Sequence, residues 1–425
     1  MKKNSLRIVR GMKDIVKDEQ ILFDYIIDIA TRISKNYSFD KITTPILEYT
    51  NVFDRTLGSD SDIVSKEMYN FTDKGGNNVC MRPEFTAAIM RNLLSSSDYG
   101  SNAKLFSVGP LFRYDRPQKG RLRQFHQVNF ENIGEKNNIV ADIELISMAY
   151  DFLSNLGIIN HVHLEINHLA SEEVQSTYNK VLMEYFKPYY EFLSSSSKKR
   201  FDNNNPLRII DSKDYQDQDI IKNVPLISDY YSESDIKYLD TLISALDALS
   251  IKCHVNPLLM RGLDYYEGVT FEFIYDNSGS KQAVAAGGRY DRLSSIMSDK
   301  DNTNMKAIGF AAGIERIMII MQHYNYDQDV YIKYKNKKKT AVINMADEYL
   351  IQSLELVKNL RNADKQVNIY STGKISKRIE RALNDDMNYI VFVGEDEVMG
   401  KYYTVKNLQE KSQDKMTLKD ILAIL

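Results

Sequence analysis

Arg113-Tyr114-Asp115-Arg116-Pro117-Gln118-Lys119-Gly120-Arg121-Leu122-Arg123 is the densest chemical signal in the chain. Five positive residues and one negative fall within these eleven, a net of +4. Pro117 to Gly120 read as a turn. Strand-like runs flank it, Leu105-Phe106-Ser107-Val108 before and residues 124–130 after. The pattern predicts arginines carried on a turn between two strands. Guanidinium groups are planar, permanently charged and matched to phosphate oxygens. Several converging from a hairpin would cradle a triphosphate or a nucleic-acid backbone. The alternative is a solvated basic loop; the use of Arg and the strand on each side weigh against it.

Outward from this hairpin, short strands are expected at Met68-Tyr69-Asn70-Phe71 and Val79-Cys80-Met81, with a turn at Gly75-Gly76. Short strands joined by turns fit an antiparallel sheet. Upstream, Ile21, Leu22, Tyr25, Ile26, Ile29, Ala30 and Ile33 recur at helical spacing and predict an amphipathic helix over 18–37. Residues from about 170 to 250 have helical patterning and few glycines, and read as a helical insertion. Strand character resumes at 268–275, a length that suits a central hairpin. Residues 325–340 turn polar and lysine-rich, which marks a linker between a first domain, 1–324, and a second, 341–425. In the second, strands at 341–344, 367–370 and 389–393 alternate with helices at 348–362, 376–383 and 418–425, the pattern of a small α/β domain.

Bulk composition limits what the chain can be. Its 425 residues give a prior of two or three domains. With 27% charged and 43% hydrophobic residues it is an ordinary globular protein. Lys+Arg is 55 against Asp+Glu at 58, so the net charge of -3 excludes a uniformly basic protein but constrains no local patch. Cys80 and Cys253 are too few for a disulfide framework and read as reduced thiols. No run approaches the ~18 apolar residues of a membrane span, and no apolar core follows the basic N-terminus. The expectation is a cytoplasmic protein without a membrane partner.

Three further clusters carry chemistry. In Met81-Arg82-Pro83-Glu84-Phe85-Thr86 the proline fixes the backbone, so that Glu84 and Thr86 point the same way on an extended segment. A carboxylate beside a hydroxyl can bind an ammonium group or close a structural salt bridge. In Arg261-Gly262-Leu263-Asp264-Tyr265-Tyr266 and Gly287-Gly288-Arg289-Tyr290-Asp291, glycines permit close backbone approach while Tyr and Arg supply polar tips and charge. Paired tyrosines also serve as core. In Gly309-Phe310-Ala311-Ala312-Gly313-Ile314-Glu315-Arg316-Ile317, small residues before an Arg at a helix start suit either a phosphate or close helix packing. No metal-ligand spacing, Walker loop or dinucleotide fingerprint is present. His161 and His163, which would share a strand face, read as a surface pair.

Taken in order, these pieces resemble the class II aminoacyl-tRNA synthetases, and within them the histidyl-tRNA synthetases. The likeness begins at Arg10-Gly11-Met12-Lys13-Asp14-Ile15. Pro45, within residues 42–58, resembles motif 1, residues 109–131 motif 2, and residues 309–316 motif 3. Arg261-Gly262-Leu263-Asp264-Tyr265-Tyr266 and Ala286-Gly287-Gly288-Arg289-Tyr290 resemble the two histidine-enzyme signatures. Asn205-Pro206-Leu207-Arg208-Ile209-Ile210-Asp211-Ser212-Lys213 is similar to a further family stretch.

The resemblance implies an α+β catalytic domain with a central antiparallel sheet and a helical insertion, followed by a C-terminal α/β anticodon-binding domain. It implies L-histidine, ATP with Mg2+ and tRNA(His) as substrates and a homodimer as the assembly, with metal ligands unassigned. By the same resemblance, Arg113 clamps the α-phosphate, Arg121, Arg123 and Arg316 hold the outer phosphates, and Arg261 bridges the substrate carboxylate and the α-phosphate. Glu84, Thr86 and Gln127 would receive the α-ammonium. Glu131 and Tyr266 would read the imidazole, with Tyr290 lining the pocket, and Arg116 and Gln118 would meet the tRNA acceptor end. Lys374, Lys377, Arg378 and Arg381 recur at helical spacing and form either a backbone-contacting stripe or a solvated face. Asp115, Phe85 and Asn129 depart from the family pattern. The rival is the regulatory partner subunit of ATP phosphoribosyltransferase; such paralogues typically lack the C-terminal domain and parts of the signatures, which this chain retains.

Overall fold

A computed structural model describes residues 6–57, 61, 63–96, 102–118, 120–135, 138–260, 265–277, 280–298, 305–335 and 338–425. The chain divides into two units, Met1–Asp327 and Gln328–Leu425.

The strands of the first unit are β1 (Asp40–Lys41), β2 (Leu47–Tyr49), β3 (Tyr69–Thr72), β4 (Asn78–Met81), β5 (Ala103–Phe112), β6 (Gln124–Ile133), β7 (Val162–His168), β8 (Cys253–Val255), β9 (Glu267–Asn277), β10 (Ser280–Arg289) and β11 (Ala307–Gly313). Eight of them form one sheet in the order β1-β5-β6-β11-β10-β9-β7-β8. Pairing is antiparallel from β5 to β7, and the short β1 and β8 join the two edges in parallel. The expected antiparallel sheet is therefore the centre of a mixed one. A second sheet, β2-β4-β3, carries the 42–58 region.

Strand periodicity sorts the side chains of the large sheet. On β6, Phe130 stacks with Phe106 at 4.9 Å and Phe310 at 4.8 Å on one face. Gln127, Asn129 and Glu131 line a cavity on the other. The unit's helices are α1 (Asp18–Asn36), α2 (Thr50–Leu57), α3 (Thr86–Ser95), α4 (Asn138–Asn155), α5 (Glu172–Phe186), α6 (Ser195–Asp202), α7 (Leu207–Ile210), α8 (Tyr215–Ile221), α9 (Glu233–Ala248), α10 (Leu293–Met297) and α11 (Ile314–His323). Helix α1 buries Leu22, Ile26, Ile29, Ala30 and Ile33, five of the seven residues its periodicity selected; Ile21 and Tyr25 are half-buried. Helices α5 to α8 form the insertion, with a core of its own that includes Tyr178, Leu182, Phe186, Ile209, Ile221 and Ile227, whereas α9, expected within it, packs against α4.

Two expectations are corrected. Thr86 opens helix α3 instead of continuing an extended segment, and the buried Glu84 carboxylate accepts from the backbone N–H groups of Thr86 and Ala87 at that helix start. A carboxylate is stabilised there because the first N–H groups of a helix have no partner within it. The stretch 325–340 is not plain linker: Tyr326–Lys335 is helix α12, and β12 already begins at Lys339.

In the second unit, β12 (Lys339–Asn344), β13 (Gln366–Tyr370), β14 (Tyr389–Val393), β15 (Tyr403–Asn407) and β16 (Ser412–Met416) make a sheet in the order β13-β12-β14-β15-β16. Its helices are α13 (Leu350–Asn362), α14 (Ile375–Asn384), α15 (Glu395–Gly400) and α16 (Leu418–Ile424). The parallel β13-β12-β14 part follows the expected alternation. The antiparallel hairpin β15–β16 was missed, because β15 offers only Tyr403 and Val405 in alternation and β16 is polar up to Met416. Arg378 on α14 is 7% exposed and donates to the carbonyls of Asn344 and Gly373, so the expected basic stripe is interrupted by a structural guanidinium. Among the described residues, no helix is long and apolar enough to cross a membrane.

Candidate active site

The hairpin that opened the sequence argument is β5–β6, with Phe112 opposite Gln124 and the arginine turn between them. Gln118 and Arg121 exchange backbone hydrogen bonds across its tip, with Gly120 at φ +75°. Beneath the turn lies a cavity of about 400 Å³, walled by β6, β10, β11, the start of α3 and the insertion.

Positive charge gathers at one end of it. Arg113 donates from Nε to the Pro83 carbonyl at 3.0 Å and lies over the Phe125 ring at 5.3 Å. Arg316, near the start of α11, donates from Nη1 to the Ala283 carbonyl at 2.5 Å. Arg121 pairs with Asp115 at 3.1 Å. Burial pushes the Arg113 and Arg316 pKa values down; Arg121 beside each adds to this, while Glu67 and Glu84 oppose it at Arg113, and Glu272 and Asp115 at Arg316. A buried guanidinium gains from an anion brought beside it.

The other end is a buried polar pocket centred on Glu131, which is 1% exposed. Its Oε1 accepts from the Thr86 hydroxyl at 2.5 Å and from the Asn129 amide at 3.0 Å, and its Oε2 accepts from the Tyr290 hydroxyl. Burial raises the Glu131 pKa to about 7, against the pull of those three donors. Burial likewise raises the pKa of Glu84, offset by the helix-start N–H groups. Tyr265, Tyr266 and Tyr290 pack together, Tyr265 lying 4.8 Å from Tyr266 and 5.8 Å from Tyr290. The glycines make room for this: a Cβ on Gly288 would meet the Tyr266 ring at 2.9 Å.

The structure thus brings Glu84, Thr86, Arg113, Arg121, Gln127, Glu131, Tyr266, Tyr290 and Arg316 to one cavity. Three expected residues stand apart from it. Arg123 turns away, its guanidinium 3.6 Å from the Tyr114 ring centroid and its Nε bonded to the Asp115 carbonyl. Arg116 and Gln118 are exposed on the turn. Arg261, with residues 262–264, lies outside the described residues.

A phosphate cradle against a pocket of carboxylates and hydroxyls is the arrangement expected where an amino acid meets a nucleotide. The family model for histidyl-tRNA synthetase matches residues 12–177 and 206–317. The chain belongs to the histidyl-tRNA synthetase family. A histidine–tRNA ligase of Rickettsia typhi is 43% identical, covering 99% of this chain and 99% of its own, and that of Rickettsia bellii is 42% identical, covering 96% of each. The solved apo histidyl-tRNA synthetase of S. aureus superposes with a TM-score of 0.80 at 26% identity, covering 99% of both chains. Residues 330–425 match an anticodon-binding domain.

Sequence reasoning missed several cavity residues of this histidyl-tRNA synthetase family member. Arg200, Arg208, Asp211 and Lys213 reach the cavity from the insertion, and Glu67, Tyr265, Glu272 and Glu315 complete its wall. Arg208, Asp211 and Lys213 belong to the 205–213 stretch, whose likeness to the family marked the place without assigning a role. Arg200 lies between the two matched segments and had no such signal.

Proposed function

We propose that this chain attaches L-histidine to tRNA(His) in the cytoplasm, first joining histidine to ATP as histidyl-adenylate and then passing the aminoacyl group to the tRNA 3′ end. The observation that carries the reading is the shared cavity, with the arginine cradle at one end and the Glu131 pocket at the other. In the first step the histidine carboxylate attacks the α-phosphorus and pyrophosphate leaves. Two anions must meet, so fixed positive charge and in-line positioning supply most of the acceleration. Arg113 takes the α-phosphate, and Arg121 and Arg316 take the outer phosphates. Arg261 takes the bridging charge by family likeness. None of these groups has to gain or lose a proton to act.

Neutral imidazole has one donor and one acceptor nitrogen. Glu131 accepts from the first and the Tyr266 hydroxyl donates to the second, while Glu84, Thr86 and Gln127 hold the ammonium group. Analogues without these nitrogens leave buried polar groups unpaired and are rejected.

Magnesium enters with the nucleotide. It needs one or two carboxylates beside phosphate oxygens and water; Glu272 in the cavity wall would help to hold it, with Glu315, whose carboxylate already accepts from His126, beside it. When bound, it would neutralise charge on the leaving pyrophosphate. Arg116 and Gln118, exposed on the turn, would meet the acceptor end by family likeness, and the 330–425 match supports anticodon contact. That match also leaves the phosphoribosyltransferase subunit reading without an account of this domain. Ile46, Leu47, Tyr49 and Phe71 expose apolar surface on and beside the small sheet, which supports a homodimer through that face.

ATP–pyrophosphate exchange with each amino acid in turn tests the activity. Exchange that depends on histidine, and is lost in Arg261→Ala with the fold intact, is the expected result; folded protein without histidine-dependent exchange overturns it.

A further inference from the structure

We propose that Arg289 is a positioning residue of the amino-acid pocket: its buried ion pairs with Asp142 and Asp291 hold Tyr290 against Glu131, and so set how tightly histidine is bound. The proposal rests on the reading of this cavity as a histidine site.

Arg289 ends β10 and is 4% exposed, yet it does not line the cavity. Its Nη2 pairs with the Asp142 carboxylate on α4 and also donates to the Asn138 carbonyl at 3.1 Å. Its Nη1 donates to Asp291 Oδ1 at 2.9 Å. Asp291 in turn accepts from the Ala307 N–H at 2.8 Å and from Lys306 Nζ at 2.8 Å. Two basic and two acidic groups thus neutralise one another around a single residue. Arg289, Asp142 and Asp291 are buried, and leaving any one of these three unpaired would cost several kcal/mol, so they are held as a unit with the half-exposed Lys306 at its edge.

The residue between Arg289 and Asp291 in sequence is Tyr290. Its N–H bonds to the Ala307 carbonyl at 2.8 Å, and its hydroxyl reaches Glu131. Strand alternation puts Tyr290 on the cavity face with Val284 and Ala286, and the β10–β11 register runs unbroken as far as Arg289. Beyond Arg289 the strand ends, so the ring's final direction depends on what holds its two neighbours. Anchoring Arg289 and Asp291 on either side of Tyr290 fixes the direction its ring takes. The Arg289 charge is therefore spent away from the cavity, on orienting a neighbour.

The test is a double-mutant cycle in the full-length chain, read by histidine-dependent ATP–pyrophosphate exchange. Arg289→Lys keeps one charge but cannot hold both carboxylates; Tyr290→Phe removes the hydroxyl; the third variant carries both. Arg289→Lys is expected to raise KM for histidine about tenfold, with KM for ATP unchanged. In the Tyr290→Phe background it is expected to add little, because coupled residues are not additive. The same factor in both backgrounds, or an equal rise in KM for ATP and histidine, overturns the proposal. Melting curves check the fold, and Asp291→Asn enters the same cycle if Arg289→Lys does not fold. A folded wild type without histidine-dependent exchange would sink the functional reading, whereas an additive cycle in an active wild type sinks this proposal alone.

Discussion

Gly309 stands directly opposite Glu131 across the β6–β11 pair, and a Cβ at Gly309 would fall on the Glu131 carboxylate. The glycine is the space in which the carboxylate lies. Gly309→Ala must therefore push Glu131 away from Thr86 and Tyr290. We expect KM for histidine to rise at least about tenfold while KM for ATP changes little. Exchange kinetics with each substrate varied in turn check this.

Glu131 also makes stability depend on pH. Burial raises its pKa to about 7 in the folded state, from a value of 4.5 when unburied. The folded state therefore holds the proton more tightly than the unfolded one. The associated stability is fully present below about pH 4.5 and is lost as pH rises through about 7. Glu131→Gln removes the charge, and the Thr86 and Tyr290 hydroxyls can turn to suit an amide. Relative to wild type it should be more stable at pH 8, by about 3 kcal/mol at most, and near equal at pH 5. Denaturant melts at the two pH values measure the difference, and histidine activation should be lost at both.

Arg121 and Arg123 sit two apart on one turn with different tasks. Arg121 lines the cavity, whereas Arg123 covers the Tyr114 ring. Arg121→Ala should raise KM for ATP with little change in melting temperature. Arg123→Ala should cost about 1–2 kcal/mol through the lost cation–π contact and the lost bond to the Asp115 carbonyl. Its KM for ATP should move less than that of Arg121→Ala.

In the second unit, neighbouring basic residues on α14 divide in the same way. Arg378 is buried and satisfies two carbonyls, while Lys377 is exposed. Arg378→Ala should destabilise that unit by about 2–3 kcal/mol, because it leaves buried acceptors unpaired. Lys377→Glu should leave melting unchanged and raise KM for tRNA most at low salt. Aminoacylation kinetics across a salt series separate the two.

Local signals carried much of the fold. The spacing of Leu22, Ile26, Ile29 and Ile33 forecast α1, and the alternation in 341–393 forecast the parallel part of the second sheet. The hairpin β15–β16 escaped because its apolar face is only Tyr403, Val405 and Met416, and Ser412, Gln413, Asp414 and Lys415 give β16 no alternation to read. Glu84 and Thr86 were brought to the site by the right residues for another reason than the one expected. The carboxylate orients itself on a helix start instead of sharing a strand face. Arg208 and Lys213 were marked by family likeness alone, since a residue's approach to a cavity from a separate helical insertion leaves no trace in local spacing.

What the sequence by itself determined is chemistry and order: clusters of arginines, carboxylates and tyrosines within the first domain, in an order that resembles one family. Residue type and periodicity are local properties, so they are visible along the chain. Which arginines face a ligand was decided only by tertiary structure. Arg113, Arg121 and Arg316 converge on the cavity, while Arg123 is spent on Tyr114, Arg289 on Asp142 and Arg378 on Asn344. A guanidinium carries the same charge in every case. All six have partners, Arg113, Arg121 and Arg316 at Pro83, Asp115 and Ala283; what differs is whether the fold sets the group in the cavity wall or away from it.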